Sequence, residues 1–210
     1  MKKFLKGLAW VVGILAVIVL ILRLTMFKLW TIPEDRVLDG SMRPSLQSGD
    51  VVLVMTIGKR SFGQLVRCTD PEDPQRWVVG RIVGLEGDVV DVEGPTVTVN
   101  GSTYNKSDGC KDPLKVPHPT TGEVVAQCSR VEMAGGWHYR ANVSELQNEA
   151  PSHHKVPAGR LFLLSDNRTF HDDSRDFGSV AADTCSDLIV FRLWGKGGTS
   201  DTDSRFSYIR

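Results

Sequence analysis

Ser41 is the residue best placed to act as a nucleophile. It lies in Gly40-Ser41-Met42-Arg43-Pro44-Ser45-Leu46-Gln47-Ser48-Gly49-Asp50, a proline-bounded turn leading into a strand at Val51 to Val54. Gly40 lets the backbone approach a substrate, and Pro44 biases Arg43 toward extended backbone. Met42 and Leu46 can pack beneath the serine. A serine hydroxyl needs a base to take its proton and donors to receive the developing oxyanion. The Ser41 backbone N–H can be one such donor. A second chemically dense stretch, Asp166, Asn167, Arg168, Asp173, Ser174 and Arg175, carries charges of both signs. With Arg81 it can form a network of ion pairs that positions a site without reacting in it. His153 and His154 are adjacent but lack further ligands at useful spacing, so no metal is expected.

Three blocks follow one another: the Ser-Met-x-Pro-Ser-Leu of Ser41 to Leu46, Arg81 to Asp88 (Arg-Ile-Val-Gly-Leu-Glu-Gly-Asp), and Asp166 to Gly178 with its Asp-Asn-Arg and Asp-Ser-Arg triplets. In this order, with an apolar N-terminal segment, they resemble type I signal peptidases over roughly residues 1 to 195. In bacterial members the base is a lysine immediately before the arginine of the second block, its amine kept neutral by burial. Here that position is Gly80. A serine of the third block that contacts the lysine is replaced by His171, and a serine donor two residues before the nucleophile is replaced by Asp39. Ser165 stands where the family usually has glycine.

Three explanations of Gly80 stay open. The chain is a silent homologue that keeps the fold and groove; or a lysine from elsewhere (Lys59, Lys106, Lys111, Lys115 or Lys155) supplies the amine; or His171 is the base. A side chain lost at Gly80 frees volume, and an imidazole of ordinary pKa, about 6.5, is substantially neutral at pH 7. Asp172 or Asp173 could orient that ring. Asp39, as a carboxylate, would repel an oxyanion unless it turns away or is protonated.

The elements that must hold these residues are mostly strands. From Arg36 onward short runs alternate with turn residues: Arg36 to Leu38, Val51 to Thr56, Leu65 to Cys68, Trp77 to Val83, Val89 to Val92, Thr96 to Val99, Arg160 to Leu164 and Leu188 to Leu193. The expected fold is mainly β, a signal-peptidase-like antiparallel body with a smaller inserted β and loop domain behind one N-terminal transmembrane helix. The expected division is 1–30 for the cytoplasmic tip and anchor, 31–103 with 158–195 for the β core, 104–157 for the insertion, and 196–210 for a flexible tail. Gly7 to Leu22 is uncharged and apolar. Extended through Phe27 it reaches about 31 Å, enough to cross a bilayer core. Phe27 and Trp30 are expected as interfacial aromatics, with Thr31-Ile32-Pro33 ending the helix. The bulky Arg23 to Phe27 offers no small-residue cleavage site, so the segment reads as an uncleaved anchor.

Twenty-five basic and 25 acidic residues balance, which gives no footprint for nucleic acid. Four cysteines, without paired spacing, argue against zinc; Cys110 and Cys128 could form a disulfide outside the cytoplasm or be buried thiols. The resemblance implies a single-pass protein of the inner (plasma) membrane, with its catalytic domain on the outer side and no cofactor. Its substrates would be exported preproteins with small residues at the first and third positions before the cleaved bond. The alternative is a membrane-anchored polypeptide-binding or assembly factor without activity.

Overall fold

The computed structural model describes residues 2–94, 96–104, 107–133, 136–140 and 150–209, without the side chains of Lys2, Lys3, Leu5, Leu24, 107–112, 128–132 and 136–140. Helix α1, Lys2–Thr25, contains an 18-residue window, Lys6–Arg23, of mean hydropathy 2.2 with none of it buried. By length and composition it can cross a membrane. It ends earlier than the apolar run suggests. Phe27–Thr31 forms strand β1, because β2 (Val51–Met55) offers a full antiparallel partner from Phe27↔Met55 to Thr31↔Val51. Trp30 packs on the body: its ring meets Trp77 edge-on at 5.1 Å and lies 4.5 Å beneath the Arg67 guanidinium.

Arg36 to Leu38, expected as a strand, begins helix α2, Arg36–Met42. Asp35 caps it, accepting from Val37 N at 2.8 Å and Leu38 N at 3.2 Å, while Leu38 and Met42, four residues apart, bury one face. The remaining strands follow as β3 Leu65–Thr69, β4 Trp77–Gly84, β5 Val89–Glu93, β6 Thr96–Val99, β7 Ser102–Tyr104, β8 Ser107–Pro117, β9 Val124–Met133 and β10 Gly136–Arg140. After them come β11 Ser152–Lys155, β12 Arg160–Leu164, β13 Val180–Ala181, β14 Asp187–Trp194 and β15 Ser207–Tyr208, with a single-turn helix α3, Ser174–Phe177, between β12 and β13.

The body is an antiparallel sheet in the order β1-β2-β14-β3-β4-β12-β13, with β15 added to β14. A second sheet runs β11-β5-β6-β7 and a third, within the region expected to be an insertion, β10-β9-β8. The chain is therefore mainly β, as its alternation implies. The inserted region holds more strand than its prolines suggest, since Val124 to Ala126 and Val131 to Met133 are parts of one strand. Within the expected tail, Ser207 and Tyr208 pair with Arg192 and Phe191, and the Phe191 and Tyr208 rings meet at 5.1 Å.

One core cluster packs Leu38, Met42 and Leu46 against Val79 of β4. Another, on Val66, Val78, Ile82, Leu163 and Leu188, includes Cys68 and Cys185, which form a disulfide. The Cys110 and Cys128 side chains lie outside the described residues.

Candidate active site

Ser41 stands near the C-terminal end of α2, only 2% exposed. Its carbonyl accepts a 2.7 Å hydrogen bond from Asn167 N, which joins the first and third sequence blocks. Its Oγ is directed to Leu38 O at 3.4 Å, a long and weak bond that a hydroxyl rotor leaves at little cost. Only the first four N–H groups of a helix lack an internal partner. The Ser41 N–H lies beyond these, so in this conformation it belongs to the α2 ladder rather than to an oxyanion hole. Arg43, the residue after the helix, is extended as its position before Pro44 requires.

Asp39 does not face a developing oxyanion. Its carboxylate takes the Arg43 guanidinium at 2.8 Å and the Ser48 N–H at 2.7 Å. The repulsion expected of it is thereby spent on tying α2 to the loop that follows.

Beneath the serine lies the buried charge network. Arg81, 1% exposed, donates Nε and Nη2 to the two oxygens of Asp166 at 2.7 and 2.6 Å, and Nη1 to Gly63 O at 2.8 Å. Ser45 Oγ also donates to Asp166. Around it, Arg175 grips Asp173 through Nε and Nη2 at 3.0 and 2.8 Å, Ser165 N donates to Asp173 at 2.8 Å, and Leu163 N donates to Ser174 Oγ at 2.9 Å. Burial alone would raise the Asp173 pKa, but Arg175 and these donors hold it far below the usual carboxylate range. Arg168, against Met133 Sδ at 3.3 Å, is brought down to about 9 by burial and by its neighbour Arg175. Ser165 uses its Oγ locally, accepting from Asp172 N at 3.2 Å.

Gly80 is not the empty slot its sequence suggests. Its neighbours Val79 and Arg81 take one face of β4, so position 80 takes the other. A Cβ built there would stand 2.9 Å from Leu163 Cβ and 3.5 Å from both Leu163 Cδ1 and Leu164 O. The volume expected to be freed is occupied by strand β12.

His171 donates or accepts at Nδ1 with Asp176 Oδ2 at 2.8 Å. In the neutral ring the carboxylate receives the Nδ1 proton, leaving Nε2 as the proton-accepting nitrogen. Asp176, rather than Asp172 or Asp173, is thus the orienting acid. Its signal was the three-residue spacing from Asp173, the two forming a capping box at α3. Burial pulls the imidazole pKa down, but the Asp176 hydrogen bond and the charges of Asp173 and Asp176 overcome this and the Arg175 repulsion, so it ends above its ordinary value. The ring therefore holds its proton to higher pH than a free histidine. Among the described residues no hydrogen bond joins His171 to Ser41. The two are linked through Asn167, whose Oδ1 accepts from Thr169 N and Phe170 N at 3.1 and 3.2 Å.

Residues of β9 and of the turn between β8 and β9 reach the same place. Asn167 Nδ2 donates to Gln127 of β9 at 2.9 Å, the His118 and Phe170 rings meet at 4.9 Å, and Pro119 and Phe170 flank Gly40. Gln127 went unnoticed in the sequence, where a single polar residue in a strand carries no mark, and Ser45 was read as part of the first block without a role. His171, Asp173 and Asp176 bring three ligand atoms within 4.8 Å, but Arg175 and the loop N–H groups already occupy the two acids. His153 and His154 alternate across β11, one bonded to Asp91 at 2.5 Å and the other packed on Phe162, so they do not converge.

An antiparallel β body, a long apolar N-terminal helix and a serine joined through Asn167 to a loop of buried ion pairs describe the class: a mainly β protein with a serine at its candidate site. Residues 5–194 match the family described as "Signal peptidase, peptidase S26", and the chain belongs to that family. It is 28% identical over 176 residues to Signal peptidase I of Pseudomonas fluorescens, which covers 75% of this chain and 58% of that protein. The chain thus spans less than two thirds of the length of this relative. To Signal peptidase IB of Staphylococcus aureus (strain Mu50) it is 27% identical over 202 residues, covering 92% of both. A solved signal peptidase I from Enterococcus faecalis V583 aligns with TM-score 0.38 and 20% identity, covering 63% of this chain and 97% of that one.

Proposed function

We propose that the chain is a membrane-anchored serine endopeptidase that removes signal peptides from exported preproteins, with Ser41 as nucleophile. The observation that carries this reading is the Asn167 N–H bond to the Ser41 carbonyl, which seats the serine on the loop that also bears His171. In the proposed reaction Ser41 Oγ leaves Leu38 O and attacks the scissile carbonyl, and its proton passes to His171 Nε2. Collapse of the tetrahedral intermediate breaks the C–N bond, and the departing amine takes that proton. Water, deprotonated by the same imidazole, then releases the acyl group from Ser41. Two movements are required: the His171 loop closes on Ser41, and the last turn of α2 opens so that the Ser41 N–H can face the oxyanion. Catalytic hydrogen bonds often tighten only when substrate is bound.

Substrate would bind as an added strand, with small residues at the first and third positions before the cleaved bond. We further infer that α1 is a single-pass anchor in the inner (plasma) membrane with the β body on the outer side. The Cys68–Cys185 disulfide supports this, because such bonds persist in oxidising compartments.

A second reading, a polypeptide-binding homologue without hydrolysis, is favoured by the closed position at Gly80. The separating experiment uses the full chain reconstituted in bilayers and a precursor with Ala-Xaa-Ala before the scissile bond. The peptidase reading expects cleavage by the wild type, none by Ser41→Ala, and a loss of about 10²–10⁴-fold in His171→Ala. Precursor binding without cleavage, equal in wild type and Ser41→Ala, would establish the second reading instead.

A further inference from the structure

A cleft of about 690 Å³ opens between the loop after β2, the turn before β12 and the segment around Cys185. Lys59, Arg60 and Arg160 line it, against the two acids Glu86 and Asp183. Scattered surface cations are ordinarily just solvated, but these differ in how their guanidinium groups are held. Arg160 donates Nε and Nη2 to Ser179 O at 3.1 and 2.8 Å. Arg60 donates Nε to Cys185 O at 2.6 Å and Nη2 to Ser186 O, while its Nη1 is buried with no acceptor. Both cations are thus anchored by carbonyls, and neither forms an ion pair with a carboxylate among the described residues. The acid that acts on Arg60 through space, Asp187, is already bound by Arg67 and lies 3.7 Å from Lys28. A partly buried charge without a counter-ion is costly, and an anion entering the cleft would offset that cost.

The place of the cleft says where the anion would come from. Thr56 lines it, and the same residue ties the body to the end of the apolar helix: Thr56 N donates to Met26 O at 2.9 Å and Thr56 Oγ1 to Thr25 O at 3.3 Å. Ile57, next in the chain, is 42% exposed. If α1 spans a bilayer, an apolar residue followed by Lys59 and Arg60 therefore sits at the level of the headgroups, where each basic side chain gains from anionic lipid.

We propose that this cleft binds the phosphate of an anionic phospholipid headgroup and so fixes the body against the membrane surface. The proposal rests on α1 as a membrane anchor and is independent of hydrolysis. The test uses the full chain in nanodiscs of phosphatidylcholine, and in detergent with short-chain phosphatidylglycerol or inorganic phosphate as titrants. Lys59→Glu is the main variant, since Lys59 is exposed and makes no described hydrogen bond; Arg60→Gln is the second. Expected are saturable phosphatidylglycerol binding by the wild type, at least about fivefold weaker in each variant, and much weaker binding of inorganic phosphate. Equal phosphatidylglycerol affinity in wild type and Lys59→Glu would overturn the proposal, as would inorganic phosphate binding as tightly as the lipid. Failure of the chain to enter nanodiscs would overturn the anchor, and the proposal with it.

Discussion

Arg81 and Gly80 are neighbours in β4 that face opposite sides of the sheet, and the two sides have been treated very differently. On the Arg81 side a guanidinium and a carboxylate, 2% and 0% exposed, are bonded at both oxygens and supported by Ser45 and Gly63. On the Gly80 side the neighbours are the Leu163 side chain and the Leu164 carbonyl, close enough that even a methyl group would touch Leu163 Cβ. A buried charge pair left without one member is strongly destabilising, so it persists only as a complete set. The contrast is between a set of buried charges that must stay complete and a position filled by the neighbouring strand.

The first way to break this comparison is on the charged side. Asp166→Ala should cost about 3–5 kcal/mol, measured by denaturant unfolding, because Arg81 is left buried and unpaired. A cost under about 1 kcal/mol would mean the network is not what holds the site. Next, Gly80→Lys should destabilise by about 1–3 kcal/mol through overpacking and should not raise cleavage by itself. Combined with Leu163→Ala, the loss should be smaller than the sum of the two single losses, since the two positions share one space. Additive losses would show that Leu163 does not fill the position.

Smaller effects come from the loop acids. Asp173 titrates below its unfolded value, so its contribution to stability is complete above the ordinary carboxylate pKa of about 3.9 and fades as pH falls through the lower folded value. Melting temperature followed downward from pH 5 should therefore drop less steeply in Arg175→Gln than in the wild type. His171 has the opposite sign. Its raised pKa gives stability that is complete below about pH 6.5 and is lost as pH rises through the folded value. Asp176→Asn removes the largest raising influence. It should flatten the melting profile on that side and, if His171 is the base, move the rising limb of the pH–rate curve to lower pH.

Much of the β body was readable because alternation is local. Arg160–Leu164 has the bounds its apolar run suggests, and β2 to β6 fall within a residue or two of theirs. What was missed depended on partners far along the chain or on segments too short to have a period. Three residues, Arg36 to Leu38, cannot distinguish a strand from a helix turn, and only Asp35 as a capping acid marked the helix. Phe27–Thr31 continued an apolar run and became a strand because β2 was there to pair with it. The Cys68–Cys185 bond closes a separation of 117 residues, which no local spacing announces. At the site, Ser41 and the ion-pairing residues were legible as blocks. That Leu163 stands over Gly80, and that Asp39 turns to Arg43 and Ser48, follows from strand register and loop path.

Whether Ser41 is an activated hydroxyl can be asked without knowing the natural substrate. Full-length protein would be treated with a peptidyl diphenyl phosphonate ending in alanine, and the intact mass followed against time and pH. The account expects one adduct on the wild type, formed faster as pH rises through the His171 titration, and none on Ser41→Ala. A wild type that stays unmodified at every pH, or a Ser41→Ala variant labelled at the same rate, would contradict it.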